Sequence, residues 1–311
     1  CTDFKFIYAF CCDKNDVLLS ILERRLFMID YSKPMLVFQT DFTYAEGAVA
    51  SMYGVVKSVD RTLEIIDATH QIPQYDTYSA SYRLMQYMRF WPKGTIFVSV
   101  VDPGVGTSRK ACVAKTKDGY YVVTPDNGAL THISLTSGIE EVREIDETIN
   151  RLKDKDNDRV AIFAGRDVFG YTAARLASGI ISYEEVGPAY PVENIRKFDL
   201  SEPEVKENTI TGYMEIDDPN FGNLWTNVHM DYFEQLGIHH GDTIHAVITK
   251  DEKVLFDEDI TYYKSFGDSE KGKALLYNNE VNKISFAMNQ DSFKNHYHVD
   301  HGTEYTVVFS K

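Results

Sequence analysis

The sequence predicts an α/β domain with a mainly parallel sheet, followed by a small all-β, barrel-like domain. Between residues 35 and 190, apolar strand-like runs alternate with stretches of helical spacing, which is typical of βαβ units. Residues 207–311 contain short β-rich runs joined by polar turns, a pattern of small barrels and sandwiches. The segment 191–206 is rich in Pro, Glu and Lys and is predicted to be a linker.

The elements of the first domain follow from periodicity and from residues that begin or end helices. Apolar residues at helical spacing, such as Val49, Met52 and Val56, predict one helix, and Pro92 ends the next. The predicted helices are Glu46–Val59, Asp76–Trp91, a short helix after Gly128, and Arg166–Ala177. The predicted strands are Met35–Thr40, Leu63–Asp67, Thr95–Asp102, Lys110–Lys115, Tyr120–Thr124 and Arg159–Ala164.

In the second domain the helical period is largely absent, and only Met230–Leu236 predicts a helical turn. The predicted strands are Thr209–Ile216, Asp242–Ile248, Val254–Ile260, Ala274–Tyr277, Lys283–Ala287 and Thr303–Phe309. Residues 1–34 do not match the pattern that follows and are expected to be an N-terminal extension, with a short helix at Val17–Phe27 capped by Asp16. Met28 is an alternative start.

Composition and charge exclude several classes of partner. The 311-residue chain has 32 basic and 47 acidic side chains and a net charge of −15, which argues against nucleic acid and anionic membranes. No apolar run of about 18 residues predicts a membrane-spanning helix. The four cysteines lack zinc-ligand spacing, and a reducing, cytoplasmic location is expected. Neither common glycine-rich phosphate-binding motif occurs.

Three predicted strands of the first domain end in acids, Asp41, Asp67 and Asp102. In an open α/β sheet, ligands bind beyond the carboxyl ends of the strands. Asp102 begins the Gly-rich segment Asp-Pro-Gly-Val-Gly-Thr-Ser-Arg, which ends at Arg109, so both charged side chains could enter a pocket there. Each acid could equally cap a helix or occupy an ordinary turn.

The second domain contains a mixture of acids, amides and aromatic residues between Asp217 and Asn227. Aromatic rings stack on flat ligands, amides read base edges and an acid binds an ammonium, although a turn beside buried aromatics explains the pattern equally well. The clustered histidines His296, His298 and His301 are expected to lie on a solvated strand, and no metal site is predicted. These patterns indicate a small-molecule enzyme or a binding protein.

Seven short motifs in chain order carry a more specific resemblance. They are Gln39-Thr-Asp-Phe42, Asp67-Ala-Thr-His-Gln-Ile-Pro73, Trp91-Pro-Lys-Gly-Thr95, Val101-Asp-Pro-Gly-Val-Gly106, Thr124-Pro-Asp-Asn-Gly128, Gly165-Arg-Asp-Val-Phe169 and Phe221-Gly-Asn-Leu-Trp-Thr-Asn227. Together they resemble the S-adenosylmethionine hydroxide adenosyltransferase family, whose relatives include the fluorinase and chlorinase enzymes. The resemblance runs from about Met35 to Lys311.

The resemblance implies an α/β domain, a β-barrel domain and a homotrimer with the ligand between neighbouring subunits. The implied reaction is attack of water or hydroxide on C5′ of S-adenosylmethionine, giving adenosine and L-methionine without a metal or redox cofactor. By family position, Asp41 would hold the ribose hydroxyls and Tyr75 would pack on the sugar and sulfonium. Asp218 would meet the methionine ammonium, together with Glu46.

The same resemblance places Phe221, Asn223 and Phe266 around the adenine. Asp102 and Arg109 match two members of the family's water-orienting Asp-Arg-His set. Asp102 would accept a hydrogen bond, and in part a proton, from the water, while Arg109 would fix that carboxylate. A carboxylate beside the nucleophile would repel halide, which favours hydrolysis over halogenation.

Several positions depart from the family pattern. Ala164 stands where the family has the His of the water-orienting set, Thr43 replaces a glycine, and Ala48 replaces an aromatic or hydroxyl residue. In the segment 278–280, Glu280 replaces an Arg that contacts the carboxylate in halogenating relatives. Two alternatives to a hydrolase therefore stay open: a halide-dependent 5′-halo-5′-deoxyadenosine synthase, and a non-catalytic protein that binds adenosine or S-adenosylmethionine.

Overall fold

The computed structural model describes residues 32–153 and 163–311. The chain divides into two compact units between Phe198 and Asp199, within the segment predicted to be a linker. The predicted helix at Val17–Phe27 lies outside the described residues, and so does most of the predicted strand Arg159–Ala164. The last two residues of that strand are described, and neither is in a strand.

The first unit alternates strands and helices, as the sequence predicts. Its strands are β1 Leu36–Thr40, β2 Ile65–Thr69, β3 Ile96–Val100, β4 Ala111–Thr116, β5 Tyr121–Pro125, β6 Ile139–Glu144 and β7 Ala189–Tyr190. Its α-helices are α1 Ala48–Val59, α2 Thr77–Met88, α3 Thr131–Thr136 and α4 Tyr171–Ala177. A π-helical turn at Gly165–Gly170 precedes α4, and short 3₁₀ turns lie at Glu184–Val186 and Val192–Asn194.

The sheet of the first unit has the strand order β2-β1-β3-β5-β4-β6-β7. Strands β2, β1, β3 and β5 are parallel, which confirms the predicted α/β class, whereas β4, β6 and β7 pair antiparallel. Every residue of β1 and β3 is buried, as expected for central strands covered by helices on both faces. Parallel pairing brings the carboxyl ends of β1 and β3 to the same edge, with Thr40 opposite Val100.

Helix α2 shows how local sequence fixes the elements beside this edge. Asp76 caps its first turn, because one carboxylate oxygen accepts a hydrogen bond from the Ser79 N–H at 2.9 Å. The helix ends at Met88, three residues before the predicted Trp91, as the chain approaches Pro92. None of the described helices has both the length and the apolar composition needed to span a bilayer.

The second unit is a sheet of antiparallel strands around one apolar core. Its strands are β8 Glu204–Lys206, β9 Thr209–Asp218, β10 Asn223–His229, β11 Thr243–Lys250, β12 Lys253–Thr261, β13 Ala274–Asn278, β14 Lys283–Met288 and β15 Gly302–Ser310. Its helices are α5 Met230–Gln235 and α6 Phe293–Tyr297, with a 3₁₀ turn at Phe266–Asp268.

The strand order β12-β11-β15-β9-β10-β14-β13 almost closes on itself. A bridge between Tyr262, just after β12, and Leu276 in β13 joins the two ends, so the sheet is barrel-like, as predicted. The core is rich in aromatic rings, with Phe286 and Phe309 stacked at 5.6 Å between ring centroids. Strand β10 was not predicted as a strand, because its sequence Asn-Leu-Trp-Thr-Asn-Val-His gives no apolar run, although six of its seven residues are buried.

We expect Gly128→Ala to lower the free energy of unfolding by about 1–3 kcal/mol. Gly128 has a φ of +106°, and a Cβ there would lie 2.6 Å from Cζ of Phe198. Gly54→Ala is the matched control, because Gly54 is exposed in α1 with open space around it. This control should raise stability by about 0.5–1 kcal/mol. Urea unfolding of both variants measures the difference, and equal stabilities would contradict the close packing at Gly128.

Candidate active site

The first unit places a paired carboxylate and guanidinium directly after β3. Arg109 donates to Asp102 through Nε, at 2.9 Å from Oδ2 and 3.1 Å from Oδ1, and through Nη2, at 2.5 Å from Oδ2. Both side chains are more than nine-tenths buried. Oδ1 receives only one long hydrogen bond, so it can still accept from a water molecule. The pair therefore keeps a charged, oriented acceptor at the end of the strand.

Hydrogen bonds between residues close in sequence hold the turn between Asp102 and Arg109. The N–H of Val105 donates to the carbonyl of Asp102, and the hydroxyl of Thr107 donates to the carbonyl of Gly104 at 2.7 Å. Gly106 has a φ of +79°, in the left-handed region that glycine adopts without strain. A Cβ on Gly104 would lie 3.2 Å from Cγ of Arg109, so the small residue lets the arginine fold back over the turn.

An aromatic ring also orients the Arg109 side chain. The Arg109 guanidinium lies 5.3 Å from the centroid of the Phe169 ring, a cation–π geometry. Phe169 is fully buried in the π-helical turn, which also includes Gly165. A Cβ on Gly165 would lie 3.1 Å from the Phe42 ring, so this position has little space for any side chain larger than that of glycine.

The motif from Thr124 to Gly128 supports the same strand end. Asn127 donates through Nδ2 to the carbonyl of Val101 at 2.9 Å, one residue before Asp102. Asp126 accepts hydrogen bonds from the Tyr190 hydroxyl at 3.0 Å and from the Arg196 N–H at 2.8 Å. Burial raises the pKa of Asp126 above its usual range. The motif thus holds the backbone that presents Asp102.

A second acid of the first unit follows β1. Asp41 accepts a hydrogen bond at 2.9 Å from the N–H of Tyr75, whose φ of +66° is unusual for a tyrosine and whose side chain is 63% exposed. Burial raises the pKa of Asp41, and the negative charge of Asp102 acts in the same direction, against the lowering effect of the Tyr75 hydrogen bond. Glu46 is exposed and accepts from the N–H of Ala48 at the start of α1.

These residues surround a cleft of about 310 Å³. Its lining is Asp41, Phe42, Glu46, Gln74, Tyr75, Val100, Asp102, Val105, Phe163, Ala164 and Gly165. The cleft therefore contains three carboxylates and, among its lining residues, no basic side chain. Arg109 lies behind Asp102 rather than in the lining.

The third strand-end acid does not line this cleft. Asp67 lies within β2 and contacts Nε2 of the buried His70 at 3.2 Å. Nδ1 of that ring lies 2.8 Å from Oγ1 of Thr40. The carbonyl of His70 also accepts from the N–H of Thr43. Asp67 and His70 therefore connect β2 to the turn after β1 that carries Asp41.

In the second unit, the hairpin between β9 and β10 presents Asp218 and Asn223. The two residues are paired across the hairpin, and Nδ2 of Asn223 donates to Oδ2 of Asp218 at 3.3 Å. Gly222 closes the turn with a φ of +71° and donates its N–H to the carbonyl of Asp218 at 2.7 Å. A Cβ on Gly222 would collide with Ser292, so this turn requires glycine.

Aromatic side chains line the cleft beside this hairpin. The Phe266 and Tyr277 rings lie 4.8 Å apart, and Nε1 of Trp225 donates to the Tyr277 hydroxyl at 3.0 Å. Phe221 is 65% and Phe266 is 37% exposed. The cleft measures about 1020 Å³, and its polar and charged lining residues include Asp218, Asn220, Asn223, Lys264, Ser265, Asn278, Asn279, Glu280, Asn289, Gln290, Asp291 and Ser292.

One group of potential metal ligands occurs in the described part of the chain, formed by Asp217, Asp300 and His301. The Lys294 ammonium lies 2.7 Å from an oxygen of each acid and already supplies a positive charge there. The prediction that the three clustered histidines lie on a solvated strand is wrong: His296 lies in α6, His298 follows the last residue of that helix, and His301 belongs to the ion-pair cluster.

The structure gathers the predicted residues into two sets, one in each unit. Asp41, Glu46, Tyr75 and Asp102 share the smaller cleft, and Asp218, Phe221, Asn223 and Phe266 share the larger one. Sequence reasoning assigned no role to Tyr277 or Lys264 in the larger cleft, and it placed Asn279 only within the segment 278–280, which matches carboxylate-contacting positions of halogenating relatives. Tyr277 ends the predicted strand Ala274–Tyr277, and its hydroxyl after three apolar residues was the only signal in the sequence.

The chain matches known sequence families over most of its length. Residues 36–187 match the SAM hydroxide adenosyltransferase N-terminal domain, and residues 213–306 match the SAM hydroxide adenosyltransferase C-terminal domain. The solved structure of an uncharacterized conserved protein from Thermotoga maritima is 30% identical, with a TM-score of 0.80. It covers 89% of this chain and all of its own.

Curated relatives carry two different names. An (R)-S-adenosyl-L-methionine hydrolase from Methanocaldococcus jannaschii is 31% identical over 75% of this chain and 84% of its own length. A second protein of that name, from Salinispora tropica, is 38% identical over 50% of this chain and 58% of its own length. A fluorinase from Actinopolyspora mzabensis is 24% identical over 90% of this chain and 99% of its own length.

We expect Asp41→Asn to stabilise the protein at neutral pH. Because burial raises the pKa of Asp41, the folded chain binds a proton more readily than the unfolded chain, and ionised Asp41 lowers stability above the usual pKa of 3.8. Asparagine removes that cost and can still accept from the Tyr75 N–H. Thermal unfolding should show the gain at pH 7 and its disappearance as the pH falls towards 4. Glu46→Gln, at an exposed neighbour, should show no such gain; a gain that grows at low pH would contradict the burial effect.

Proposed function

Because the chain belongs to the SAM hydroxide adenosyltransferase family, we propose that it hydrolyses S-adenosylmethionine to adenosine and L-methionine. The observation that carries this proposal is the buried, bidentate Asp102–Arg109 pair at the edge of the smaller cleft. Oδ1 of Asp102 has spare acceptor capacity, so it can orient a water molecule. The arginine keeps this carboxylate fixed where the water would attack.

The charge of the smaller cleft supports a cationic substrate. Asp41, Glu46 and Asp102 line it, and a sulfonium would be attracted by these carboxylates. The same charges would repel a halide ion at the position of the nucleophile. They favour water over halide, and so a hydrolase over the synthase activity that the fluorinase relatives suggest.

The reaction follows from positioning and polarity. The oxygen of water bonds to C5′, the C5′–S bond breaks, and its electron pair stays on the sulfur of methionine. The proton of the water passes to Asp102 and then to solvent. The sulfonium is already a good leaving group, so the protein need only align the water and keep bulk solvent out. We therefore propose that no metal or redox cofactor takes part.

The remaining roles are assigned by family position. Asp41 would hold the ribose hydroxyls, with its second oxygen already fixed by the Tyr75 N–H. Glu46 would assist Asp218, which Asn223 orients, in binding the methionine ammonium. The adenine would lie against the exposed rings of Phe221 and Phe266 in the larger cleft, and beside Asn223.

We further propose a cytoplasmic homotrimer in which neighbouring copies complete each site. Each cleft is open within its own unit. Tyr75 lines the smaller cleft and Phe221 lines the larger one, and each residue has more than half of its surface exposed. A neighbouring copy could cover these rings. A monomer with full activity would contradict this arrangement.

A binding protein without turnover is the second candidate, and Ala164 favours it. This residue lines the cleft with Asp102, where the family places a histidine that helps orient the water. Without that histidine, the carboxylate and its arginine act alone.

Incubation with S-adenosylmethionine, with and without chloride, separates the candidates. We expect adenosine and methionine in equal amounts under both conditions, and a loss of kcat of about 10²–10⁴ in Asp102→Asn. Asp251→Asn is the matched control, because Asp251 is an exposed residue of the turn between β11 and β12 that lines neither cleft and should leave kcat nearly unchanged. A nucleoside product that requires chloride would indicate the synthase. Tight binding without product would indicate the binding protein.

We expect Ala164→His to raise kcat by up to about 10²-fold, because an imidazole beside Asp102 would add a second proton acceptor. The gain should appear as the pH rises through about 6.5, where imidazole loses its proton. Ala164→Gln is the matched control, since its side chain is similar in size but cannot accept a proton near pH 7. A lower kcat in Ala164→His, with an unchanged free energy of unfolding, would show that Asp102 and Arg109 already suffice to orient the water.

A further inference from the structure

Lys294, in α6, contacts the hairpin between β9 and β10 at two places. Its Nζ donates to Oδ2 of Asp217 in β9 and to Oδ1 of Asp300, both at 2.7 Å. Its backbone N–H donates at 2.9 Å to the carbonyl of Gly222, the residue that closes the turn of the hairpin. A single residue therefore joins one strand of the hairpin, its turn and the segment that follows α6.

These contacts lie on the side of the hairpin that faces away from the larger cleft. Successive side chains of a β-strand point to opposite faces of the sheet. Asp218 lines the cleft, whereas neither Asp217 nor Lys294 is among the lining residues. Across the hairpin, Asp217 pairs with Leu224 and Asp218 pairs with Asn223. A displacement of Asp217 would consequently move the two polar residues that the hairpin presents to a ligand.

The ammonium of Lys294 also offsets the repulsion between two acids. One side-chain atom each of Asp217, Asp300 and His301 lies within 4.8 Å of the other two. The Asp217 side chain is only 13% exposed, so water screens its charge weakly. Burial lowers the pKa of Lys294, but the hydrogen bonds to the two acids outweigh burial and raise that pKa, so the lysine stays charged at neutral pH. Without this charge, the two carboxylates would move apart.

We propose that Lys294 is a positioning residue that holds the hairpin, with Asp218, Phe221 and Asn223, in the arrangement that binds the substrate. This inference rests on the proposed function, in which Asp218 binds the methionine ammonium and the other two residues contact the adenine. Lys294 acts through the hairpin and touches no substrate atom. Because Asp102 lies in the first unit, loss of the lysine should weaken binding and leave the chemical step nearly intact.

Lys294→Ala tests the assignment, because it removes the ammonium and leaves space for a small amine. The lysine lines an open depression of about 380 Å³, together with His298, Asp300 and Tyr305, so a solute can reach the acids. We expect KM for S-adenosylmethionine to rise about tenfold with kcat nearly unchanged. Methylammonium should reverse most of this rise, because it restores a charged donor between the carboxylates. Tetramethylammonium has the same charge but no N–H, and it should not lower KM.

Lys206→Ala is the matched control for the lysine. Lys206 forms an exposed ion pair with Glu204 in β8 and lies outside the cleft lining, so its loss should leave KM unaltered with or without methylammonium.

Asp217→Asn keeps the test open if Lys294→Ala does not fold, because it leaves the lysine in place and changes no volume. A neutral acceptor on β9 forms a weaker bond to the ammonium, and KM should rise about threefold. Asp300→Asn is its matched control: it weakens the other bond of the same ammonium, but Asp300 is not part of the hairpin, so the rise in KM should be smaller.

Three results would overturn the inference. The first is an unchanged KM in Lys294→Ala, and the second is a raised KM that methylammonium does not lower, which would assign the effect to lost packing of the lysine stem. The third is a fall in kcat at constant KM. If the wild type released no adenosine, the proposed function would fail, whereas calorimetric titration of wild type and Lys294→Ala with S-adenosylmethionine, with and without methylammonium, would still decide the role of Lys294.

Discussion

The ion pair between Asp102 and Arg109 is the interaction on which the first unit's cleft depends. Two opposite charges are almost fully removed from water there, and each would be costly to bury without the other. The surrounding residues serve this pair: two glycines shape the turn between the partners, a buried phenylalanine ring contacts the guanidinium, and Asn127 holds the strand end. The carboxylate consequently has a fixed orientation before any ligand arrives.

The two clefts differ in the physical features that they offer to a ligand. The smaller one offers charge, with three carboxylates beyond the ends of parallel strands. The larger one offers exposed aromatic rings and amides on a hairpin and on the 3₁₀ turn at Phe266–Asp268. The proposed substrate carries both kinds of feature, a sulfonium charge and an aromatic base. Within the first unit, Asp67 and His70 do not line the smaller cleft but fix the turn that carries Asp41, one of its acids.

The sequence predicts the fold class of both units, because the spacing of apolar residues along the chain reflects which positions are buried. The parallel strands β1 and β3 are continuous apolar runs, whereas β10 was missed because barrel closure buries polar residues such as Asn223 and Asn227. Asp102 and Arg109 could be identified as candidate site residues from the sequence, because a Gly-rich turn joins them. The supporting role of Asn127 depends on a contact with Val101, 26 residues earlier in the chain, so spacing along the chain could not reveal it.

The π-helical turn at Gly165–Gly170 makes the first unit's cleft sensitive to the length of the chain in this segment. A π-turn holds one more residue per hydrogen-bonded ring than an α-helix, so deletion of one residue would let the segment continue α4 in ordinary α-helical geometry. Everything before the deletion would then rotate by about 100° around the helix axis. Ala164 would leave the cleft or Phe169 would leave the guanidinium. Insertions and deletions here are therefore changes that would disassemble the cleft during divergence.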